Sequence, residues 1–217
     1  MGKSDPVIFS SYRRLIPERE YKKIAFLGFS SPNGFTKSIP SEEKDFYDLS
    51  LNNWNINDDK WDIPTDNYDL IVCTRCPYFS KDPKKFIEKC FSICKKDGIV
   101  FLDWGIGDHW RFSEYKVGWV KNGEHEYAYE EDNFLWSFIW DDSFLENSEF
   151  KNFEKNVLKH GYTDVKNAIF KEVPIILELK DIADNYFIEY SMINLWEDSP
   201  QLYIPLILKK RSEFKNY

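Results

Sequence analysis

The chain has 217 residues, 42% of them hydrophobic and 30% charged, and its formal net charge at pH 7 is −8. This length suffices for one sizeable core and predicts a single domain, while the acidic balance disfavours nucleic acid as a partner. No apolar stretch approaches the roughly 20 residues that span a bilayer, and the N-terminus lacks the apolar core of a signal peptide. These features predict a cytoplasmic protein that does not enter a membrane.

The first quarter of the chain predicts an N-terminal arm followed by two strands. Residues 1–20 are expected to form an arm or helix that packs on the domain formed by the rest of the chain. Residues 21–29 predict the first strand, which ends at Gly28. Residues 30–44 predict a loop, because a Pro-Asn-Gly sequence within them is a strong turn signal. Residues 46–51 predict a second, short strand.

The central part predicts a strand, a crossover helix and another strand. Residues 68–73 form a short apolar run that is typical of a buried strand. Residues 81–96 carry apolar side chains at helical spacing, and the Asp-Gly pair that follows is expected to end the helix with glycine in the left-handed cap. Residues 99–103 form a second apolar run. This order implies two parallel strands, with ligand sites beyond their carboxyl ends.

The C-terminal half predicts an aromatic-rich insertion and the elements that complete the domain. The insertion covers about residues 104–147 and contains a predicted hairpin around Asn122-Gly123. A helix is expected over residues 148–160, followed by strands over residues 165–179 and 201–210. A proline within the last strand favours an edge or bulge position.

Four cysteines occupy positions 73, 76, 90 and 94. Their spacing is compatible with a zinc site. However, one of them closes a predicted buried strand and two lie on the apolar face of the predicted helix, where small buried thiols are common. We therefore expect buried thiols rather than a metal site or disulfides, in a reducing compartment.

Two motifs in the central part carry a family resemblance. The predicted strand contains Tyr68-Asp69-Leu70-Ile71-Val72, and the turn into the next strand contains Lys96-Asp97-Gly98-Ile99-Val100. Both resemble the second half of class I S-adenosylmethionine-dependent methyltransferases. The resemblance implies an α/β fold with a Rossmann-like, mostly parallel sheet, helices on both faces and a C-terminal antiparallel strand pair. It also implies one methyltransferase-like domain over residues 21–217, with S-adenosyl-L-methionine as the cofactor.

The resemblance assigns the cofactor to loops at the carboxyl edge of the sheet. The loop after the first strand keeps two glycines but lacks the family's Gly-x-Gly core and the acidic residue before it. Asp48 matches either the acid that binds the ribose hydroxyls or the acid that meets the adenine amino group, and its spacing to Tyr68 favours the adenine position. The residues that the resemblance assigns to the cofactor are Gly28, Phe29, Ser30, Gly34, Asp48, Leu49, Thr74 and Arg75.

Three of these assignments have a simpler alternative. Gly28 also fits an ordinary glycine between a strand and a loop, and Asp48 also fits a turn residue at a strand end. The guanidinium of Arg75 is suited to bind a ligand carboxylate through two hydrogen bonds, but a surface ion pair fits the same position.

Residues 103–112 carry the densest set of chemical groups in the chain. Methyl transfer to a hydroxyl needs a base, and histidine suits this role because its pKa lies near neutrality. We expect His109 to be the base and Asp108 or Asp103 to orient it, although a structural loop in which His109 only forms hydrogen bonds fits the same pattern. The side chains expected to bind the substrate are Trp104, Trp110 and Arg111. The other histidines are expected to be an exposed hairpin residue and a helix C-terminal cation, namely His125 and His160.

Three functions follow from this pattern. The first is O-methylation of a small molecule such as a sugar or glycan precursor, which the resemblance and the His109 segment favour. The second is a methyltransferase-like domain without catalysis that acts as a binding or scaffolding module, which the short region before Tyr68 and the incomplete glycine loop favour. The third is a nucleotide-binding or sugar-nucleotide enzyme of the same topology.

Overall fold

Short apolar runs form the central strands, and the polar segments between them form helices and loops. The computed structural model describes residues 5–106, 120–121, 124–125, 136–139, 146–159, 162–163, 175–178, 180–196 and 200–211. The α-helices in these residues are α1 (Asp5–Leu15), α2 (Gly34–Ser38), α3 (Leu49–Asn52), α4 (Pro83–Ile93), α5 (Ser148–Lys159) and α6 (Lys180–Ala183). The strands are β1 (Tyr21–Leu27), β2 (Ser41–Tyr47), β3 (Tyr68–Cys73), β4 (Cys94–Ile106), β5 (Val120–Lys121), β6 (Glu124–His125), β7 (Trp136–Ile139), β8 (Tyr162–Thr163), β9 (Ile175–Glu178), β10 (Tyr186–Tyr190), β11 (Ile193–Trp196) and β12 (Pro200–Lys210).

The main sheet has the strand order β10-β12-β4-β3-β1-β2, and β11 also pairs with β12. β1 pairs in parallel with β2 and β3, and β3 pairs in parallel with β4. β12 runs antiparallel to β4, β10 and β11. This arrangement confirms the predicted fold class, a mostly parallel sheet that C-terminal antiparallel strands complete.

Successive side chains of a strand point to opposite faces of the sheet, so the buried strands contribute to one hydrophobic core on each face. On β1, Ile24 and Phe26 belong to the first core, and Ala25 and Leu27 to the second. Helices α1 and α2 cover the first core with Ile8, Tyr12 and Phe35. Helices α4 and α5 cover the second core with Phe86, Ile87, Cys90, Phe150 and Phe153. Because both faces are buried, the central strands are continuous apolar runs.

The segment between β1 and β3 differs from the prediction. The expected loop over residues 30–44 contains α2 and the start of β2, because Asn33 caps α2 rather than forming only a turn. The Asn33 side chain accepts a hydrogen bond from the Thr36 N–H at 2.9 Å, and the Thr36 hydroxyl oxygen accepts one from the Asn33 N–H at 2.9 Å. The second strand is Ser41–Tyr47 rather than residues 46–51, and Asp48 caps α3 directly after it.

The crossover helix ends earlier than predicted. Helix α4 ends at Ile93, so the predicted Asp-Gly cap is wrong. Gly98 instead lies where β4 bulges away from β3, since Tyr68 pairs with Cys94 and Leu70 with Ile99. A Cβ on Gly98 would overlap the Cys94 sulfur and lie 3.0 Å from the Tyr68 carbonyl oxygen. The glycine is therefore needed for close packing and not for a helix cap.

The C-terminal elements agree with the prediction in part. Helix α5, strand β12 and the β5–β6 pairing correspond to the predicted helix, last strand and hairpin. Strand β9 lies in the predicted strand over residues 165–179 but pairs with β7 outside the main sheet. Strands β10 and β11, which the prediction omits, complete that sheet.

Of the two positions predicted for Pro205, an edge or a bulge, the edge is wrong, because Pro205 lies inside the sheet. Pro205 pairs with Asp103 of β4. On its other side it lies where the partner of β12 changes from β11 to β10, and its carbonyl accepts a hydrogen bond from the Ser191 N–H at 3.1 Å. A missing N–H is tolerated at this junction because neither partner strand continues there.

The N-terminal helix is part of the packed structure. Ile8 and Tyr12 of α1 are fully buried.

None of the helices in the described part of the chain is long and apolar enough to cross a membrane.

Candidate functional site

The carboxyl edge of the parallel strands brings several of the predicted site residues together. Gly28 follows β1 with φ +78°, a left-handed conformation that favours glycine. Its N–H donates to the Tyr47 carbonyl at the end of β2, at 2.7 Å. A Cβ on Gly28 would lie 2.9 Å from both Cβ and Sγ of Cys76. Gly28 therefore allows the loop after β3 to pack against the end of β1.

Asp103 anchors the loop that follows β3. Its side chain is fully buried on β4. One carboxylate oxygen accepts a hydrogen bond from the Arg75 backbone N–H at 2.5 Å, and the Tyr12 hydroxyl of α1 donates to the other. Arg75 has φ +57°, which is unusual for a residue with a side chain, and the contact with Asp103 helps to hold it there. Both Asp103 oxygens are thus engaged in positioning α1 and the Arg75 loop.

The Arg75 side chain already binds a carboxylate from the same chain. Its guanidinium forms an ion pair with Asp5 at the start of α1. The side chains are 23% exposed for Arg75 and 7% for Asp5, so the pair is largely shielded from water. Removing one partner of such a pair leaves a buried charge without compensation. A ligand carboxylate that binds Arg75 would therefore share this guanidinium with Asp5 or replace it.

Thr74 presents a buried polar group at the same edge. Its side chain is 4% exposed, and its hydroxyl has no hydrogen-bond partner among the residues that the structure describes. An unpartnered buried hydroxyl costs about 1–3 kcal/mol of stability. Thr74 directly follows β3, where the family resemblance places the cofactor, and its hydroxyl is suited to a bound polar group.

The position of Asp48 changes the interpretation of this residue. Asp48 follows β2, which lies directly beside β1, so it occupies the end of the second strand of the sheet. In the resemblance this is the position of the ribose-binding acid, and the preference for the adenine position is not supported by the strand order. Oδ1 of Asp48 accepts hydrogen bonds from the Ser50 N–H at 2.9 Å and the Ser50 hydroxyl at 2.5 Å. The second carboxylate oxygen has no hydrogen bond within the described residues.

The remaining predicted cofactor residues are more dispersed. Phe29 is buried in the first core, where it contacts Phe26 and Phe35. Ser30 is exposed, and Leu49 is 63% exposed on α3. Gly34 begins α2.

Most of the predicted catalytic and substrate-binding segment is not part of the described structure. Trp104 lies on β4. His125 lies on β6, where it pairs with Val120. The predicted residues outside the described ranges are Asp108, His109, Trp110, Arg111 and His160.

Sequence reasoning missed two residues that shape this edge, namely Asp5 and Tyr12. The four-residue spacing of Ile8, Tyr12 and Ile16 predicts that one face of α1 is buried. No local signal links that face to Asp103, which is 91 residues away from Tyr12.

The four cysteines are free thiols. Burial raises the pKa of Cys73 and of Cys90 well above the ordinary value, and Cys76 further raises the pKa of Cys73 through a hydrogen bond. Burial raises the pKa of Cys94 to about 12. The thiols of Cys73, Cys90 and Cys94 therefore remain protonated at neutral pH, the form that does not bind metal. Within the described ranges, no three potential metal ligands lie close enough together to hold an ion.

Comparisons with known proteins show similarity at the level of the fold. No protein-family model and no curated protein matches the sequence. Among solved structures, the chain is similar to the YcgJ protein from Bacillus subtilis, with 10% identity and a TM-score of 0.50 over 94% of this chain and 98% of that one. The chain therefore has a Rossmann-like fold, in agreement with the mostly parallel sheet described above.

Two further similar structures are methyltransferases. Phosphoethanolamine N-methyltransferase 2 from Haemonchus contortus, in complex with S-adenosyl-L-methionine, is 8% identical with a TM-score of 0.49, over 97% of this chain and 53% of that one. A SAM-dependent methyltransferase from Aquifex aeolicus is 11% identical with a TM-score of 0.43, over 95% and 93% of the two chains. At such identities the likeness concerns the fold alone.

Proposed function

We propose that the chain is an S-adenosyl-L-methionine-dependent methyltransferase that O-methylates a small molecule, such as a sugar or glycan precursor. The observation that carries this proposal is the buried Thr74 hydroxyl, which lacks a partner among the described residues at the exit of β3. Asp48 supports it, because a carboxylate oxygen at the end of β2 is available for the ribose hydroxyls. These two groups follow strands on either side of β1, the arrangement that a ligand lying across the carboxyl edge requires.

One group of residues would hold the cofactor, and a second group would bind and activate the acceptor. S-adenosyl-L-methionine, when bound, supplies a methyl group that is activated by a sulfonium. Asp48 would accept hydrogen bonds from the ribose hydroxyls, and the Thr74 hydroxyl would hydrogen-bond a polar group of the cofactor. Arg75 would bind a carboxylate, in competition with Asp5 for the same guanidinium. The space beside Gly28 is occupied by Cys76. The cofactor would therefore contact other residues of the loop after β1.

His109 is the proposed base. It would take the proton of the acceptor hydroxyl as the oxygen attacks the methyl group. We assign the role of orienting His109 to Asp108 rather than Asp103, because both oxygens of Asp103 already accept hydrogen bonds. Trp104, Trp110 and Arg111 are the proposed acceptor-binding side chains.

Calorimetric titration with S-adenosylhomocysteine tests the cofactor site. The variant to use is Asp48→Asn. Asparagine keeps the helix cap but removes the negative charge that strengthens hydrogen bonds from the ribose hydroxyls. The matched control is Asp58→Asn, which removes an exposed carboxylate elsewhere on the surface. Micromolar binding to the native chain and to Asp58→Asn, with at least tenfold weaker binding to Asp48→Asn, supports the proposal. No binding at millimolar ligand contradicts it.

Acceptor screening follows once binding is established. Release of S-adenosylhomocysteine in the presence of sugars or glycan precursors reports turnover. His109→Ala is expected to lower kcat by at least 10²-fold with unchanged cofactor affinity, because removal of a general base affects the proton transfer and not binding. Equal turnover by this variant would exclude His109 as the base.

A binding module without catalysis is the second candidate. It is favoured by the ion pair between Asp5 and Arg75 and by the packing of Cys76 against Gly28, since both fill space at the edge where the cofactor is expected. The Asp5→Asn variant separates the two candidates. If neither the native chain nor Asp5→Asn binds S-adenosylhomocysteine at millimolar concentration, the module is supported. Micromolar binding by either one excludes it.

A further inference from the structure

Helices α1 and α2 lie side by side over the first core and leave a cleft between them. The cleft has a volume of about 500 Å³, and its described lining comprises five residues of α1 and four residues from positions 33–38. The α1 residues Phe9 and Arg13 are four positions apart, as are Ser10 and Arg14, so these pairs follow one side of the helix. The α1 wall of the cleft therefore carries one aromatic side chain, Phe9, next to two basic ones, Arg13 and Arg14.

The charge of this cleft is opposite to that of the protein. The formal net charge of the chain is −8, yet the only charged side chains among the described lining residues are Arg13 and Arg14. Each guanidinium donates from Nε to a backbone carbonyl, at 3.1 Å and 3.4 Å respectively. Within the described residues neither arginine pairs with a carboxylate. The single acid of α1, Asp5, is held by Arg75. Because a guanidinium has five N–H donors, both arginines retain donors for an anion.

The base of the cleft is apolar and one wall is open. Phe9 and Phe35 stack across it with ring centroids 4.9 Å apart and an angle of 17° between the ring planes. At Gly34 an added Cβ would have no atom within 4 Å, so the α2 side leaves room for a ligand. An apolar group would lie against this ring pair and remove the exposed part of Phe9 from water, since Phe35 is already buried.

We propose that the cleft between α1 and α2 binds a small organic anion. Its carboxylate or phosphate would accept hydrogen bonds from Arg13 and Arg14, whose planar guanidinium groups match the geometry of both anions. Its apolar body would lie on Phe9 and Phe35. The volume of the cleft falls in the range typical of small-molecule sites. This inference is independent of the proposed methyltransferase activity, because binding here requires neither cofactor nor turnover.

NMR titration of the full-length, ¹⁵N-labelled chain tests the proposal. The probes are phenyl phosphate and 3-phenylpropionate, which carry both features, benzyl alcohol, which lacks the charge, and inorganic phosphate, which lacks the apolar group. Arg14→Gln is the main variant, because within the described ranges the hydrogen bonds of the Arg14 side chain go to Ser10 of its own helix. Lys37→Gln is the matched control, since it removes an equal charge from an exposed position of α2 outside the cleft lining. Gly34→Leu tests the position of the ligand by filling the open wall.

The expected result is that at least one of the two amphiphilic anions binds below 10 mM and shifts the amide signals of α1 and α2. We expect Arg14→Gln to weaken this binding at least tenfold, as loss of a hydrogen bond to a charged group does, and Lys37→Gln to change it less than threefold. Gly34→Leu should abolish it. The proposal is overturned if neither anion binds at 10 mM or if Arg14→Gln binds as well as the native chain. It is equally overturned if benzyl alcohol or inorganic phosphate binds as tightly as the amphiphilic anions.

Discussion

Replacement of Gly28 by alanine is the most direct test of how the carboxyl edge is built. The left-handed backbone at φ +78° disfavours a residue with a Cβ by about 1–2 kcal/mol. The new Cβ would also lie 2.9 Å from Cβ and Sγ of Cys76, and such overpacking costs about 1–3 kcal/mol. The two effects are separate, so Gly28→Ala should lower the free energy of unfolding by about 2–5 kcal/mol.

Urea denaturation followed by circular dichroism measures this change, with the midpoint and the m-value fitted separately. Gly34→Ala is the matched control, because an added Cβ at Gly34 meets no atom within 4 Å and its φ is not positive. That variant should be neutral or stabilised by up to about 1 kcal/mol, since alanine favours a helix over glycine. In the double variant of Gly28→Ala with Cys76→Ala, part of the loss should be recovered, because the sulfur is absent and the backbone conformation is unchanged.

Two results would refute this reasoning. One is a Gly28→Ala variant whose stability lies within about 0.5 kcal/mol of the native chain, a value typical of neutral surface substitutions. The other is a loss of equal size in Gly34→Ala, which would show that neither the backbone conformation nor the contact with Cys76 is responsible.

Three further perturbations test other parts of the fold. Gly98→Ala should lower the urea midpoint, with a loss of about 1–3 kcal/mol, because the new Cβ would overlap the Cys94 sulfur in the bulge of β4. Burial raises the pKa of Asp69, but hydrogen bonds from Lys95 and from the Lys23 backbone outweigh it and lower the pKa overall. This carboxylate therefore stabilises the fold above its unfolded pKa of about 3.9, and the contribution is lost as the pH falls through the folded value. Asp69→Asn should flatten the fall in stability between about pH 4 and pH 2, and an unchanged acid limb in pH-dependent denaturation would contradict this. Iodoacetamide at pH 8 should modify only Cys76 in the native chain, since the other three thiols are buried, and mass spectrometry showing equal labelling of all four would contradict their protection.

The parts of the fold that the sequence predicted best are those whose side chains are buried on both faces. Strand β3 coincides with the predicted strand over residues 68–73, because a fully buried strand must be a continuous apolar run. Strand β2 lies at an end of the strand order and begins with Ser-Glu-Glu-Lys-Asp, so its first five residues carry no apolar signal. The sequence therefore predicts a loop for the N-terminal part of this strand. Helix α2 has only five residues, and its capping Asn33 is also a common turn residue.

The candidate site was predicted less completely than the fold. The positions of Thr74 and Asp103 at the carboxyl edge follow from the strand order, which the sequence indicates. The contacts that define their surroundings come from α1, through Tyr12 and Asp5, and are made over separations of 91 and 70 residues. Such pairings depend on how α1 packs on the sheet. Neither periodicity nor a local motif encodes that arrangement.

The place of β12 in the sheet has a consequence for biosynthesis. This strand separates β4 from β10, yet the ribosome makes it roughly 100 residues after β4, a delay of about 5–20 s at ordinary rates of elongation. During that time, the backbone groups of Val100–Ile106 that later pair with β12 have no partner on that side, and the side chains of Val100, Phe101 and Leu102 are apolar. An unpaired apolar strand edge is a template for association with other nascent chains. Aggregation during expression should therefore depend on how soon residues 200–210 emerge and on chaperones that shield β4 until then.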